Sequence, residues 1–416
     1  MAPPLHLLAI NTTRRCNLHC AHCYLDAGAR QDGAPHELTA REITDVLAEI
    51  ATRGTETMVV LTGGEPLLRP DMEDIVAAGS RLGLAMVMGT NGTLLTSERI
   101  ASLEQAGLLG VGISVDSLDP QYHDRFRGVP GSWERAMLGI EACRRGGLSF
   151  QIHFSITNDN AQELLPIIEF SRAVGARVLN VFFLICTGRG ESMTDIPAER
   201  YEAVLQNLVA AQARYTDLII RSRCAPHFKR VAHEIDPDAR ARVNRISGTE
   251  GDGCIAGTHY CRITPEGAVT ACPYLSQEVG NVREKAFLEI WDGAEIFQRL
   301  RFPELQGKCG QCDYRLLCGG CRARPVALGD GLMDTDPLCV YVPREGAPLI
   351  EPLTDQENAN VVWSNEAKHR LARVPGFVRR LVKKRAEAFV AEQGETIVRS
   401  EHLAVLMARR FGAKGG

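Results

Sequence analysis

Three cysteines within eight residues, Cys16, Cys20 and Cys23, stand in the stretch Asn11 to Tyr24, N-T-T-R-R-C-N-L-H-C-A-H-C-Y. Thiolates at this C-x-x-x-C-x-x-C spacing suit three corners of a cubane iron–sulfur cluster, whose ordinary ligand set is four cysteines. An iron left without a protein ligand is an open coordination position, the feature that separates a catalytic metal site from a closed structural one. Zinc ligand pairs also favour two to four intervening residues, so the spacing taken alone admits zinc as well. Eight more cysteines follow far downstream: Cys254, Cys261, Cys272, Cys309, Cys312, Cys318, Cys321 and Cys339. Eight thiols equal two complete four-cysteine sites, for zinc or for further clusters. Cys143, Cys186 and Cys224 remain. Cys143 falls on a helix and reads as core, while Cys186 lies where a reactive thiol would matter.

Other polar groups recur at chemically useful places. Gly63-Gly64-Glu65-Pro66 combines glycines, which let a backbone approach a ligand closely, with a carboxylate able to accept from an ammonium group. Thr90-Asn91-Gly92 is a turn. Ser114 and Asp116 precede His123, Asp124 and Arg127, of which His123 and Arg127 read as braces of the following loop. Cys186-Thr187-Gly188-Arg189-Gly190 places an arginine between glycines.

The elements that position these groups alternate strand and helix. Short β-rich runs fall at Leu5–Ile10, Thr57–Leu61, Leu84–Gly89, Val111–Val115, Phe150–Ile156 and Val178–Ile185. Amphipathic helical stretches lie near Thr39–Arg53, Asp71–Leu82, Ser97–Ala106, Ser132–Arg145, Ala161–Val174 and Pro197–Arg214. The first opens with a capping box, Thr39 and Glu42. Apolar strands alternating with helices imply a parallel sheet buried on both faces. Six such units suit an α/β partial barrel, with active groups at the C-terminal ends of the strands. Each polar motif named above follows a strand and so belongs at that mouth. Arg262 to Ala271 reads as a hairpin turning at Pro265-Glu266-Gly267. After the proline-punctuated stretch Pro343 to Pro352, a helical reading places Trp363, Ala367, Leu371 and Val374 on one face, then Phe377, Val378, Leu381, Val382 and Phe389. Pro375-Gly376 breaks the two helices, and Ser400 starts a last one. The expected organisation is a barrel over 1–215, a linker over 216–253, a cysteine-rich unit over 254–342, a linker over 343–357 and a helical unit over 358–416.

Composition narrows the class. Hydrophobic residues make 45% and charged residues 24% of 416, the balance of a soluble globular chain. A net charge of −4 gives no reason to expect nucleic acid or a membrane surface as partner. No apolar run approaches membrane-spanning length, and no signal-peptide core precedes Asn11. Fourteen cysteines in such a chain point to a reducing cytoplasm, where clustered thiols bind metal.

The three-cysteine loop with Tyr24 directly after it resembles the cluster loop of the radical S-adenosylmethionine (SAM) superfamily. That resemblance implies a 4Fe–4S cluster on Cys16, Cys20 and Cys23 whose open iron is chelated by SAM. Gly63, Gly64 and Glu65 look like the family's GGE motif, which holds the SAM amino group; Asn91, Ser114 and Asp116 inherit SAM contacts by position. G-x-x-x-x-C ending at Cys272, followed by C-x-x-C-x-x-x-x-x-C, resembles the SPASM extension with its two auxiliary 4Fe–4S clusters. Carried over, Cys254, Cys261, Cys272 and Cys321 would hold the first, and Cys309, Cys312, Cys318 and Cys339 the second. The family usually has three residues between its last close pair, whereas Cys318 and Cys321 have two, which leaves a ligand of the first cluster open.

The pattern W-x-x-E-A-x-x-R-L-x-x-V-P-x-F-V-R from Trp363 resembles the C-terminal domain of light-independent protochlorophyllide reductase, which handles a tetrapyrrole. Phe182 to Gly190 and Gly319 to Arg324 look like segments of SPASM proteins of alternative heme and d-type heme biosynthesis. Together these resemblances imply an enzyme that removes or oxidatively decarboxylates acetate or propionate side chains of a tetrapyrrole through a 5′-deoxyadenosyl radical. They also imply an electron donor such as ferredoxin or flavodoxin. Guanidiniums bind carboxylates through paired hydrogen bonds, so Arg189, Arg322 and Arg324 are the expected substrate contacts. A SPASM peptide maturase is the alternative; only fifteen residues precede Cys16, little room there for a leader-peptide recognition domain.

Overall fold

A computed structural model describes residues 2–28, 36–54, 56–193, 196–237, 253–350 and, with breaks at 373, 375–381, 384, 388 and 392, 361–411. Seven parallel strands form its centre: β1 (Leu7–Asn11), β2 (Met58–Thr62), β3 (Ala85–Thr90), β4 (Val111–Ser114), β5 (Phe150–Ile156), β6 (Val178–Phe183) and β7 (Ile219–Arg223). Each pairs with the next in sequence order, and helices cover the outer face, as expected for a partial α/β barrel. In register, Ile113, Ile152, Leu179 and Ile220 are fully buried toward those helices. One residue further on, the row Ser114, His153, Asn180 and Arg221 occupies the opposite, inward face, because side chains alternate along a strand.

Local chemistry sets the element boundaries. Thr39 Oγ1 accepts from Glu42 N at 3.2 Å while Glu42 Oε2 accepts from Thr39 N at 2.8 Å, so the first helix, Ala40–Ala51, begins with a complete capping box. Gly107 and Gly128 end the helices Ser97–Ala106 and Pro120–Arg127 in the left-handed conformation that glycine adopts without strain.

The sheet continues past the barrel. β8 (Tyr260–Ile263) runs parallel to β1 on its free edge, and β9 (Ala268–Thr270) and β10 (Gly280–Asn281) follow antiparallel, giving ten strands. The hairpin expected at Pro265-Glu266-Gly267 is therefore an extension of the barrel sheet. The stretch read as a linker, 216–253, departs from expectation. It holds β7 and the helix His227–Ile235, and its residues 238–252 lie outside the described ones. Ile219-Ile220-Arg221-Ser222-Arg223 was hidden by two arginines in a short strand whose charges face inward.

Near the C-terminus, Trp363, Ala367, Ala386, Val390, Val398 and Leu403 form an apolar cluster separate from the main core. Trp363 is not on a helix. It lies in a two-residue strand, β11 (Val362–Trp363), paired with β12 (Ile397–Val398), and its indole donates to Glu387 at 2.8 Å. The helices Asn365–Ala372 and Ser400–Phe411 follow these strands; Pro375, Gly376, Phe377, Val378 and Leu381 lie outside the described residues.

Replacing Thr39 by Ala removes the capping box and lowers stability by about 1 kcal/mol, read as a shifted denaturant midpoint with unchanged slope; an unchanged midpoint contradicts the assignment.

Candidate active site

The loop after β1 is held from three sides. Its stem closes on itself through Cys16 N to Gly28 O at 2.9 Å. Its middle is pinned to the end of helix Pro120–Arg127, where His19 N donates to Arg127 O at 3.0 Å and Ala21 N to Phe126 O at 2.9 Å. The turn after β2 locks the third side: Gly64 N donates to Thr13 O at 2.7 Å and Glu65 N to Arg15 O at 2.8 Å. A Cβ on Gly64 would sit 2.1 Å from Arg15 O, so this double-glycine turn exists because two backbones touch there.

Held in this way, Cys20 and Cys23 act electrostatically on Cys16, and Cys23 on Cys20. Leu18 N donates to Cys16 Sγ and Ala27 N to Cys23 Sγ, both at 3.4 Å. Backbone donors to sulfur stabilise thiolates and tune cluster potential. Burial pushes the Cys16 thiol up to about 12. A metal that replaces the proton removes that penalty. Around the loop Asn11 Oδ1, Arg15 Nε and His22 Nδ1 are buried with no hydrogen-bond partner, as groups facing a ligand are. The donor set and these groups fit a cluster with a bound cosubstrate.

Glu65 is fully buried. Its Oε1 accepts from Thr90 Oγ1 at 2.8 Å and Leu67 N at 3.2 Å, and its Oε2 from Asn91 N at 2.9 Å. Burial raises its pKa to about 7 against these donors. Oε2 keeps a lone-pair site, and a buried carboxylate so poised gains from an ammonium partner. Asn91 also donates to Asn17 Oδ1 at 2.8 Å, tying the turn after β3 to the residue beside Cys16. Ser114 Oγ donates to Thr90 O at 3.5 Å.

Asp116 is placed differently from expectation. Its carboxylate pairs with Arg127 at 2.6 Å and accepts from Ser155 N at 2.9 Å. Burial pushes its pKa up, but Arg127, His22 and His123 outweigh this and hold it below the usual carboxylate range. Arg127 in turn points Nη1 at Cys20 Sγ, 3.7 Å away. Asp116 therefore orients a cation beside the cluster loop.

The three expected substrate arginines are already engaged. Arg189 donates to Cys20 O at 3.0 Å and Ala27 O at 2.6 Å and pairs with Asp26, bracing the cluster loop from the far side. Arg322 is buried, donates to Leu332 O and Asp334 O, and directs Nη2 toward Cys309 Sγ at 3.9 Å. Arg324 is buried against Asp336 at 2.7 Å. What the sequence did not single out is β7: Arg221 and Arg223 reach the inward face beside Asn180, whose Oδ1 accepts from Arg223 Nε at 3.0 Å.

Downstream, Cys309, Cys312, Cys318 and Cys339 line one cavity with Arg230 and Tyr341. Cys261 departs from its expected place. It sits in β8 opposite Leu8, on the helix-facing side of the sheet, with Arg301 the charged group acting on its thiol. Strand alternation puts Tyr260 and Arg262, but not Cys261, toward Cys272.

An open three-cysteine loop at a barrel mouth, with a cysteine-lined platform beside it, defines the class of SAM-cleaving iron–sulfur enzymes. The sequence signature of the radical SAM superfamily matches residues 10–197, that of an iron–sulfur cluster-binding domain (SPASM) residues 254–313, and that of a proto-chlorophyllide reductase 57 kD subunit residues 363–405. An AdoMet-dependent heme synthase of Methanosarcina barkeri is 38% identical, over 81% of this chain and 97% of its own length. One of Oleidesulfovibrio alaskensis is 36% identical over 83% and 89%. The crystal structure of Streptococcus suis SuiB bound to S-adenosylmethionine shares the fold, at a TM-score of 0.66 and 18% identity over 82% of this chain and 78% of that one. This chain belongs to the radical SAM superfamily, in the group that carries a SPASM extension, and is an enzyme dependent on 4Fe–4S clusters and SAM. None of its described helices is long and apolar enough to cross a membrane.

In the SAM-free protein the carboxylate of Glu65, the form that attracts an ammonium, prevails above about pH 7 and is lost as pH falls through that value. SAM affinity therefore drops about tenfold per pH unit below it. Glu65→Gln weakens binding by about 1.5–3 kcal/mol, abolishes this pH dependence and leaves iron content unchanged. Calorimetry showing unaltered affinity would remove Glu65 from the SAM site.

Proposed function

We propose that this protein acts on a tetrapyrrole, removing or oxidatively decarboxylating acetate or propionate side chains, as a step of heme or related cofactor biosynthesis. The observation that carries the reading is the match along 97% of a relative named as a heme synthase. When bound, a cluster held by Cys16, Cys20 and Cys23 together with SAM would supply the radical chemistry for hydrogen abstraction, and clusters held by the downstream cysteines would supply an electron acceptor.

The chain's own residues do the positioning. Glu65 and Asn91 orient SAM from the turns after β2 and β3. Asp116 and Arg127 hold Cys20, and Arg189 holds the backbone around it. On the inward face, Arg221 and Arg223 are the carboxylate-binding groups of this proposal, since a guanidinium fork matches a propionate. The strands beside them place the rings of His153 and Phe182 together, centroids 5.2 Å apart, an aromatic flank suited to a flat macrocycle. The setting is the cytoplasm, with ferredoxin or flavodoxin as the class of electron donor.

The decisive assay incubates the reduced protein anaerobically with SAM and iron porphyrinoids bearing acetate or propionate chains. Side-chain loss read by mass, with deuterium from the labelled side chain appearing in 5′-deoxyadenosine, is the expected result. Turnover of a peptide and of no porphyrinoid would overturn the reading. Replacing Arg221 and Arg223 together by Ala raises the porphyrinoid dissociation constant about tenfold or more, the scale of a lost charged hydrogen bond, while uncoupled SAM cleavage persists; unchanged binding rules them out. A chain ending at Ile350 likewise cleaves SAM but binds the porphyrinoid more weakly, by titration of its absorption band. Unchanged affinity makes the C-terminal segment a bystander.

A further inference from the structure

Cys224 follows the last barrel strand and has no place in any of the cysteine spacings. It is one of three described non-glycine residues with a positive φ, +60°, a conformation that side chains seldom adopt without a local reason. A chain of hydrogen bonds fixes it there. Arg324 Nη2 donates to Cys224 O at 2.9 Å, Arg324 Nη1 to Asp336 Oδ2 at 2.7 Å, and the same Asp336 oxygen accepts from Cys321 N at 2.7 Å. The backbone of Cys224 is thereby tied, through one buried ion pair, to the backbone of Cys321.

The thiols follow the backbones. Cys254 acts electrostatically on Cys224, Cys272 and Cys321, Cys321 and Cys224 act on Cys272, and Cys224 acts on Cys321, so each pairing within the set is represented. Tyr274 favours the thiolate at two of them, its side chain at Cys224 and its backbone at Cys272. Cys261 belongs to no such set. Its thiol lies on the opposite face of the sheet, where Arg301 is the charged group acting on it.

We infer that Cys224, not Cys261, is the fourth protein ligand of the first auxiliary cluster, completing a set with Cys254, Cys272 and Cys321. The assignment rests on the chain's SPASM clusters and not on the identity of its substrate. Four thiolates close all four corners of a cubane. This cluster then offers no open iron to a substrate and serves to pass electrons. Its position is apt, because Cys224 directly follows Arg223 at the end of β7, next to the inward face where a substrate carboxylate would lie.

The test compares full-length Cys224→Ala, Cys224→Ser and Cys261→Ala after anaerobic reconstitution, by iron and sulfide content, Mössbauer spectroscopy and redox-poised electron paramagnetic resonance. Wild type holds about twelve irons, in three four-iron clusters. Cys224→Ala falls toward about eight irons and still cleaves SAM without substrate, showing that the barrel is folded. Cys224→Ser, which substitutes an oxygen ligand, shifts the potential of one cluster and leaves the other two unmoved. Cys261→Ala keeps the iron and all three signals. The assignment is overturned if Cys224→Ser has three wild-type potentials, or if Cys261→Ala loses a cluster while the Cys224 variants do not. A wild type lacking auxiliary iron altogether would instead remove the cluster reading on which the assignment stands.

Discussion

Arg127 is buried with Asp116 on one side at 2.6 Å and the sulfur of Cys20 on the other at 3.7 Å. Neither charge is stable there alone, since removing one partner of a buried pair typically costs about 3–5 kcal/mol. Three elements meet at this pair. Asp116 comes from the end of β4, Arg127 from the end of the helix Pro120–Arg127, and the cluster loop docks its His19 and Ala21 amides on the carbonyls of Arg127 and Phe126. Asn160 Nδ2 joins β5 to the same point by donating to both Asp116 O and Ser155 O, each at 2.9 Å. The cation also opposes the burial that raises the Cys20 thiol, which favours the thiolate a metal needs.

The cysteine-rich extension repeats the device. Arg324 and Asp336 form a second buried pair, and its bonds to Cys321 and Cys224 organise thiols from distant parts of the chain. Arg322 does the same service at Cys309 Sγ. Arg322 and Arg324, which read from sequence as carboxylate contacts, are instead engaged beside cysteines. A guanidinium beside sulfur serves a net negative iron–sulfur site as well as it serves a carboxylate. The sequence motif alone does not distinguish the two uses.

Much of the barrel was legible because its signals are local. Thr39 and Glu42 announce a helix start, and Phe150–Ile156 has a strand's composition and length. The Cys16 loop and the Gly63-Gly64-Glu65 turn were legible as spacing, and the close backbone approach at Gly64 explains why glycine stands there. What was missed depends on long-range geometry. β7 looked like a linker because its arginines face the barrel interior. Trp363 looked helical because its partner strand lies more than thirty residues on, at Ile397–Val398. Cys261 is carried over as a ligand by the SPASM resemblance, yet strand alternation turns it to the other face. Cys224 stands outside every cysteine spacing for the converse reason: only the fold brings it near the others.

The central claim is that these cysteines hold iron–sulfur clusters of two kinds, one open to SAM and the others closed. Mössbauer spectroscopy of the anaerobically reconstituted chain, with and without SAM, tests it most directly. The expected result is about twelve irons in three cubanes, with SAM perturbing one unique iron in one cluster and with that cluster lost when Cys16, Cys20 and Cys23 are replaced together. A protein that takes up zinc and no iron, or clusters that SAM leaves unperturbed, would contradict it.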